Sequence, residues 1–321
     1  MSAPPIAIIG AGMSGITAAA ALQQAGFSPI VVDKGRTPGG RMSTKRVGDA
    51  RFDHGAQHFS ARADGFAAMV ERWNKRGLVH QWYEAQSLTQ PERGVEPRWA
   101  GVDGMRSIVE GLVGDLDVRT QIKVDYLAPD DQGWSVVAGD EAVIEGAAAV
   151  ILTPPIPQTR DILSDSNIKL TDSVATALER ITYAATLAVM ATLDAPSGLA
   201  DGHLALTEGP IAWMADNQHK GISSVPAVTI HSSESFATQH LEADPEEWTE
   251  ALVAAAAEHL DGEVLDAVGH RWRFSRPLRA LDSVLRVGPA DSIILAGEAF
   301  AGARVEGAYL SGLDAARQLL S

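Results

Sequence analysis

The sequence of 321 residues contains no cysteine. Disulfide bonds, thiolate nucleophiles and cysteine-ligated zinc or iron–sulfur clusters are therefore excluded. Long hydrophobic runs are also missing, since no window approaches the roughly 18 apolar residues of a membrane-spanning helix. Aromatic residues make up only 6% of the chain. Positive charge is scarce, because 26 Lys and Arg face 41 Asp and Glu, for a net charge of −15. Such a chain repels nucleic-acid phosphates and anionic lipid, so neither partner is expected.

The first 25 residues lack the features of an export signal. No basic residue precedes Lys34, and glycines at positions 10, 12 and 15 interrupt the apolar stretch. A signal peptide has a positively charged start and an unbroken apolar run, so we expect a cytoplasmic protein. Nine histidines occur without metal-ligand spacing, and no metal site is expected.

What is present is a globular composition with an ordered pattern of elements. The opening predicts a β–α–β unit, with a strand over residues 4–9, an alanine-rich helix over 13–25 and a buried strand over 30–32. Three short runs at 118–124, 134–137 and 142–144 predict a β-meander, followed by a buried strand at 148–152. Longer strands are expected at 184–193, 211–215 and 227–232. A buried strand at 292–296 and a helix at 307–320 repeat the strand–helix pattern of the first residues. Both ends of the sequence are therefore expected in one domain.

A G-x-G-x-x-G motif at residues 10–15 follows the first predicted strand and opens the first predicted helix. Gly10 permits a tight turn, Gly12 lets a pyrophosphate approach the backbone, and Gly15 allows close helix–strand packing. Asp33 ends the second predicted strand, where its carboxylate can accept hydrogen bonds from a ribose diol. This combination predicts a dinucleotide site, which FAD and NAD fit equally well.

The stretch 34–51 reverses the acidic character of the chain. It carries six basic residues: Lys34, Arg36, Arg41, Lys45, Arg46 and Arg51. Because Gly39 and Gly40 precede Arg41, the backbone can approach a ligand closely while the guanidinium group forms two hydrogen bonds to a phosphate. A solvated loop is the alternative, and we favour phosphate binding.

Four motifs resemble the flavin amine oxidase superfamily. They are G-x-G-x-x-G at 10–15, G-G-R-x-x-T at 39–44, D-H-G-A-Q-H-F at 53–59, and A-G-E at 296–298 with V-E-G-A at 305–308. Within the superfamily, the stretches 150–157, 230–233 and 271–273 are similar to the renalase-like proteins. The resemblance spans nearly the whole chain and implies FAD as the cofactor.

The resemblance also assigns residues to FAD. The ADP half would contact the first glycine motif, Asp33, Arg41 and the backbone near Val124, and the flavin ring would lie against residues 55–58. Glu298 stands where many relatives carry aspartate for a ribitol hydroxyl, and the helix near Gly307 would direct its N-terminus at the flavin. The expected cofactor contacts are Gly10, Gly12, Met13, Ser14, Gly15, Asp33, Lys34, Arg36, Gly40, Arg41, Met42, Gly55, Ala56, Gln57, His58, Val124, Thr153, Gly297, Glu298, Val305, Glu306, Gly307 and Ala308.

Together, pattern and resemblance predict an α/β fold with two domains. The first is a discontinuous Rossmann-like FAD-binding domain of the flavin amine oxidase type, formed by residues 1–75, 101–155 and 285–321. The second is an α+β substrate domain, or cap, formed by residues 76–100 and 156–284. This modest cap and the small number of tyrosines argue against the paired-tyrosine cage of larger amine oxidases.

Renalase-like proteins oxidise isomers of NAD(P)H whose hydride lies at ring position C2 or C6. The resemblance therefore implies an FAD-dependent oxidase with a dinucleotide substrate and O2, which yields NAD(P)+ and hydrogen peroxide. A dihydropyridine expels hydride without acid–base assistance, which suits a sequence with no evident catalytic triad. Two alternatives stay open, a small flavin amine oxidase or desaturase and a dinucleotide-binding module without turnover.

Four catalytic candidates lie in the expected cap: Tyr183, Trp213, Asn217 and His231. Trp213 is expected either to stack on a pyridine or flavin or to belong to a core. His231 is expected to contact substrate or to be a hydrogen-bonded structural histidine. Arg271 and Arg273 would meet a substrate phosphate or form surface ion pairs.

Overall fold

A computed structural model describes residues 4–86 and 91–320. Its helices are α1 (Met13–Gln24), α2 (Asp64–Lys75), α3 (Met105–Val113), α4 (Ile156–Asp165), α5 (Asp172–Glu179), α6 (Glu234–His240), α7 (Pro245–Ala256) and α8 (Val305–Leu320). Its strands are β1 (Ile6–Ile9), β2 (Pro29–Val32), β3 (Thr44–Val47), β4 (Ala50–Asp53), β5 (Val79–Gln86), β6 (Val95–Gly101), β7 (Asp117–Arg119), β8 (Tyr126–Asp130), β9 (Gly133–Ala138), β10 (Glu141–Ala147), β11 (Ala149–Leu152), β12 (Tyr183–Leu193), β13 (His203–Ala205), β14 (Ile211–Asp216), β15 (Ala227–Ser232), β16 (Val264–Pro277), β17 (Leu285–Val287) and β18 (Ile293–Leu295). None of these helices has both the length and the apolar character that a membrane crossing requires.

Contacts divide the chain into two compact units, and neither is a continuous stretch of sequence. Unit 1 comprises Met1–Gly40, Val109–Thr182 and Pro277–Ser321, and unit 2 comprises Arg41–Ile108 and Tyr183–Arg276. The mixed α/β fold agrees with the sequence prediction, whereas all four unit boundaries differ from the expected ones.

Unit 1 is built on a six-stranded sheet with the order β17-β18-β11-β1-β2-β7. Its strands run parallel except β17, which is antiparallel to β18. Strands β1, β11 and β18 are buried along their whole length, which explains why they read as unbroken apolar runs. Helices α1 and α8, from the two ends of the sequence, pack against each other. Both ends of the sequence therefore lie in unit 1.

The predicted β-meander is present in unit 1, but with one wrong member. Strands β8, β9 and β10 form it, whereas the run around Val118 is β7 and pairs in parallel with β2. Helix α4 also belongs to unit 1 rather than to the predicted cap, since the Ser166 hydroxyl after α4 accepts a hydrogen bond from the Leu127 N–H of β8 at 2.7 Å. An apolar run reports that a strand is buried and does not report which strand lies beside it.

Unit 2 contains a five-stranded sheet with the order β13-β14-β15-β12-β16. One core cluster joins Val189 and Met214 of this sheet to Trp248 and Leu252 of α7. The β3–β4 hairpin was predicted as a loop of the FAD-binding domain. It lies in unit 2 because Phe52 packs with Met190 and Ala227 of the large sheet. A second hairpin, β5–β6, completes the strands of this unit.

Candidate active site

The first glycine motif forms the turn between β1 and α1 in unit 1. Gly10 has φ +106°, a left-handed conformation that favours glycine, whereas Gly12 has φ −81° and ψ −176°, which any residue can adopt. Gly12 is the N-cap of α1, no side chain caps the helix, and its first turn contains no acidic residue. The buried Ser14 hydroxyl has no hydrogen-bond partner among the described residues. Such an uncapped helix N-terminus binds anions, in particular phosphate.

Asp33 ties this turn to the end of β2. One carboxylate oxygen accepts from the Ala11 N–H at 2.6 Å, and the other accepts from the Gly35 N–H at 2.6 Å. Each carboxylate oxygen can accept a further hydrogen bond, so these contacts position the group and leave capacity for a ribose diol.

Further predicted contacts lie beside the turn. The Gly39 N–H donates to the Ala11 carbonyl at 2.9 Å, and Gly39 forms an isolated β-bridge with Gly12. On the other side, the Ile122 N–H donates to the Asp33 carbonyl at 2.9 Å, which brings the segment leading to Val124 alongside. Two basic residues of this region lie further out. The Lys34 ammonium donates to Gln158 Oε1 at 3.0 Å, and Arg36 is exposed.

Motifs from the two ends of the sequence meet at the carboxyl ends of β1, β11 and β18. Thr153, after β11, donates its hydroxyl to the Ile9 carbonyl at 2.8 Å. Gly297, after β18, donates its N–H to the Ser311 hydroxyl of α8 at 2.9 Å. The predicted residues 305–308 form the first turn of α8. In open α/β sheets, ligands bind at this edge.

In unit 2, the D-H-G-A-Q-H-F motif is held against the backbone of Arg41. A Cβ on Gly55 would overlap the Arg41 carbonyl oxygen, and the Ala56 N–H donates to that oxygen at 2.9 Å. The Arg41 guanidinium donates to the Phe274 carbonyl at 3.3 Å, and Met42 is buried. A phosphate contact for Arg41 and the flavin contact of residues 55–58 stay predictions.

A fully buried cation, Lys220, lies next to this motif, and nothing in the sequence indicated it. Its ammonium is 3.4 Å from Asp53 Oδ2 and donates to Gln57 Oε1 at 2.9 Å, and both charged side chains have no exposed surface. The ammonium also lies 4.5 Å from the centroid of the Trp82 ring. Asp53 Oδ1 accepts in addition from the Thr44 hydroxyl at 2.6 Å, so the buried carboxylate is well paired.

Two predicted catalytic residues brace the same motif from the large sheet. Asn217 Oδ1 accepts from the Asp53 N–H at 3.2 Å, while its amide nitrogen donates to the Thr229 hydroxyl at 2.9 Å. His231 Nε2 donates to the His54 carbonyl at 3.1 Å. Because Asn217 is completely buried and these contacts go to the chain itself, both residues position the motif.

Trp213 belongs to a stack of three aromatic rings, which we call the aromatic stack: Tyr83, His203 and Trp213. The Tyr83 and His203 centroids are 4.0 Å apart at 29°, and the His203 and Trp213 centroids are 4.9 Å apart at 19°. All three rings are partly exposed. The Tyr83 hydroxyl lies within hydrogen-bond distance of His58 Nδ1, at 3.2 Å. Trp213 therefore belongs to a partly exposed aromatic surface and not to a hydrophobic core.

The remaining predicted residues lie elsewhere in unit 2. Tyr183 contacts Phe274 edge to face at 5.6 Å between centroids. Arg271 donates to the Ala243 carbonyl at 2.7 Å, and Arg273 forms an ion pair with Glu242. Arg273 therefore forms a surface ion pair, whereas Arg271 binds a backbone carbonyl and its buried Nε has no hydrogen-bond partner among the described residues.

Comparison with known families decides the class of the protein. Residues 8–73 match the NAD(P)-binding Rossmann-like domain, and residues 80–320, about three quarters of the chain, match the flavin containing amine oxidoreductases. The chain belongs to the flavin containing amine oxidoreductase family. As a member, it is an FAD-dependent oxidoreductase, so the predicted cofactor is confirmed and a module without turnover is not supported.

Solved structures of oxidases share the fold at low sequence identity. Cyclohexylamine oxidase from Brevibacterium oxydans IH-35A superposes with a TM-score of 0.74 at 14% identity, over 98% of both chains. Wild-type putrescine oxidase bound to putrescine gives 0.72 at 17% identity, over 99% of both chains. A protein of Exiguobacterium sp. 255-15, provisionally assigned as a protoporphyrinogen oxidase, gives 0.74 at 14% identity, over 99% of both chains.

The residues of unit 1 fit the nucleotide half of FAD. The uncapped N-terminus of α1 and the unpartnered Ser14 hydroxyl supply donors for a pyrophosphate. A Cβ at Gly12 would meet no atom of the chain within 4 Å, so this side of the turn is open to a ligand. In this flavin oxidoreductase, Gly12, Ser14 and Asp33 would therefore hold the cofactor.

Burial keeps three histidines of unit 2 neutral. It lowers the pKa of His54 to about 3, with smaller effects of His270 and Lys45. It lowers the pKa of His58 to about 3, with Lys220 and Arg98 adding repulsion. It lowers the pKa of His231 to about 4, where Lys220 again opposes protonation.

These histidines predict a pH dependence of stability. The unfolded chain takes up their protons below about pH 6.5, whereas the folded chain does so only near pH 3 to 4. The free energy of unfolding should therefore fall as pH drops from 6.5 towards 4, by at most about 1.4 kcal/mol per pH unit for each histidine. Urea unfolding at half-unit pH steps measures this slope, and His231→Gln should reduce it. A profile that is flat between pH 6.5 and 5 would contradict the expectation.

Proposed function

We propose that this oxidoreductase is a renalase-type oxidase of dihydronicotinamide dinucleotides. Its substrates would be the 2- and 6-dihydro isomers of NAD(P)H. The donor loses a hydride, which is two electrons and one proton, and becomes aromatic NAD(P)+. O2 takes up the two electrons with that proton and one proton from solvent, giving hydrogen peroxide. FAD, when bound, carries the electrons from donor to O2.

The observation that carries the proposal is the aromatic stack beside the buried Lys220. A flat, partly exposed set of rings suits a planar dihydropyridine, since aromatic rings pair by offset stacking. The dihydropyridine needs no base, because its ring nitrogen assists departure of the hydride.

The chain's own residues then have positioning tasks. Trp213 and Tyr83 would orient the donor ring by stacking. Lys220 fixes the Gln57 amide, whose nitrogen donates to the Gly55 carbonyl at 3.1 Å and to the Asp53 carbonyl. His231 and Asn217 hold the neighbouring backbone in place. A rigid arrangement of this kind lowers the barrier by orientation.

A small flavin amine oxidase is the second candidate, and membership of the family favours it. The two amines to compare are putrescine and cyclohexylamine, which occur in the names of oxidases with this fold.

Anaerobic reduction of the bound flavin distinguishes the two candidates. We expect the mixture of isomers made by borohydride reduction of NAD+ to bleach the flavin absorbance at least about 10-fold faster than pure NADH, a modest discrimination for an oriented site. Putrescine and cyclohexylamine should leave it oxidised. Equal rates with the mixture and with pure NADH would overturn the isomer specificity, and bleaching by the amines alone would favour the second candidate.

A further inference from the structure

Three arginines of unit 2 surround a single carboxylate. Glu96 on β6 lies 3.1 Å from Arg62, 2.8 Å from Arg93 and 3.6 Å from Arg98. The side chains of Arg62, Arg98 and Glu96 are 11%, 9% and 13% exposed, whereas Arg93 is 42% exposed. We call Arg62, Arg93 and Arg98 the arginine cluster.

The arginine cluster carries more positive charge than its carboxylate balances. Burial alone would raise the pKa of Glu96, but hydrogen bonds and charge from Arg93 and Arg62 outweigh it and lower the pKa, so Glu96 is ionised. The ion pairs found among the described residues join these three guanidinium groups to Glu96, and the exposed Glu92 precedes Arg93 in the chain, so three positive charges face two negative ones. Concentrating cations at low exposure is unfavourable unless an anion joins them.

The cluster is continuous with the aromatic stack. Arg98 on β6 is the register partner of Tyr83 on β5, and the two side chains are hydrogen-bonded. Tyr83 in turn is the first ring of the stack with His203 and Trp213. The aromatic stack and the arginine cluster are therefore adjacent in unit 2.

We propose that the arginine cluster binds the phosphate groups of a nucleotide whose planar ring lies on the aromatic stack. Guanidinium groups bind phosphate oxygens through paired, charge-assisted hydrogen bonds. This inference rests on the proposed function, and it specifies the substrate as a phosphorylated dinucleotide rather than a nucleoside. The excess positive charge repels cationic amines. The residues proposed to bind phosphate are thus not the predicted Arg271 and Arg273 but the arginine cluster, which the sequence pattern did not indicate.

The test compares a donor that carries phosphate with a donor that lacks it. Arg93→Gln removes the most exposed member of the cluster, and Arg72→Gln on α2 is a matched control at an exposed position of the same unit. The donors are the dihydro isomers of NAD and those of nicotinamide riboside, which has no phosphate. We expect Arg93→Gln to raise KM for the dinucleotide about 10-fold, as for one lost charge-assisted hydrogen bond, without changing kcat. KM for the riboside should stay within about 2-fold in both variants.

A binding measurement keeps this inference separate from the proposed function. Calorimetric titration of the holoenzyme, whose glycine motif is occupied by FAD, compares ADP-ribose, inorganic pyrophosphate and adenosine. We expect ADP-ribose and pyrophosphate to bind about 10-fold more weakly to Arg93→Gln than to wild type and to the Arg72→Gln control, and adenosine to bind equally to all three.

The results of these experiments distinguish failure of the phosphate site from failure of the proposed function. Equal weakening of dinucleotide and riboside, or equal binding of ADP-ribose to wild type and Arg93→Gln, would overturn the phosphate site. Failure of every dihydropyridine to reduce the flavin would instead refute the proposed function. In that case a selective loss of ADP-ribose and pyrophosphate binding would still support the cluster as a phosphate site.

Discussion

Gly12→Val is expected to give a folded protein that has lost most of its FAD. The Gly12 backbone conformation suits any residue, and a Cβ there would meet no atom of the chain within 4 Å. The added side chain would project into the open side of the turn, where the pyrophosphate would lie close to the backbone. Overpacking of this kind costs about 1–3 kcal/mol, so FAD should bind about 10- to 100-fold more weakly.

Two matched valine substitutions make the result specific. Gly65→Val, at an open position in the first turn of α2, should retain a full complement of flavin. Gly15→Val should fail to fold, because a Cβ there would overlap the Gly10 backbone. Flavin absorbance per protein and far-ultraviolet circular dichroism measure the two effects. A folded Gly12→Val protein with wild-type flavin content would refute the assignment of the site.

Lys220→Met is expected to cause a large loss of stability. It leaves the Asp53 carboxylate buried without its cation, and it removes the donor to Gln57 Oε1. Breaking a buried ion pair in this way costs about 3–5 kcal/mol. Urea denaturation should therefore show a free energy of unfolding lower by that amount, with an unchanged slope.

The ion pair of Arg51 with Asp103 in the same unit is the control. Its side chains are 41% and 75% exposed, so Asp103→Asn should cost less than about 1 kcal/mol. Combining Lys220→Met with Asp53→Asn should cost less than the two single changes added together, since the second change removes the stranded charge. If Lys220→Met and Asp103→Asn cost the same, the buried pair does not stabilise unit 2.

The elements around the predicted nucleotide site were largely predictable from sequence. The motif at residues 10–15 and Asp33 lie within 24 residues of each other, and the elements around them are a strand, a helix and a strand as predicted. Local periodicity and turn chemistry specify such a unit, because its contacts are close in sequence. The motifs at Thr153 and Gly297 were recognised through family resemblance, and the structure brings them to the same sheet edge.

The contacts within unit 2 were predictable only in part, because they join distant segments of the chain. Lys220 pairs with Asp53 across 167 positions, and a lone lysine in a polar turn gives no signal of burial. The aromatic stack joins Tyr83 to His203 and Trp213 from another sheet of the unit, and only Trp213 was singled out. The β3–β4 hairpin was missed because its apolar residues find their partners in the large sheet, far along the chain.

The central position of β11 has a consequence for biosynthesis. Strand β11 pairs with β1 on one edge and with β18 on the other, and β18 leaves the ribosome about 140 residues after β11. At about 5–20 residues per second, that edge waits roughly 10–30 s for its partner. An uncovered strand edge is an aggregation hazard, so the nascent chain needs shielding by chaperones during this interval. The sheet edge at which Thr153 and Gly297 lie is complete only after β18 and α8 have been translated.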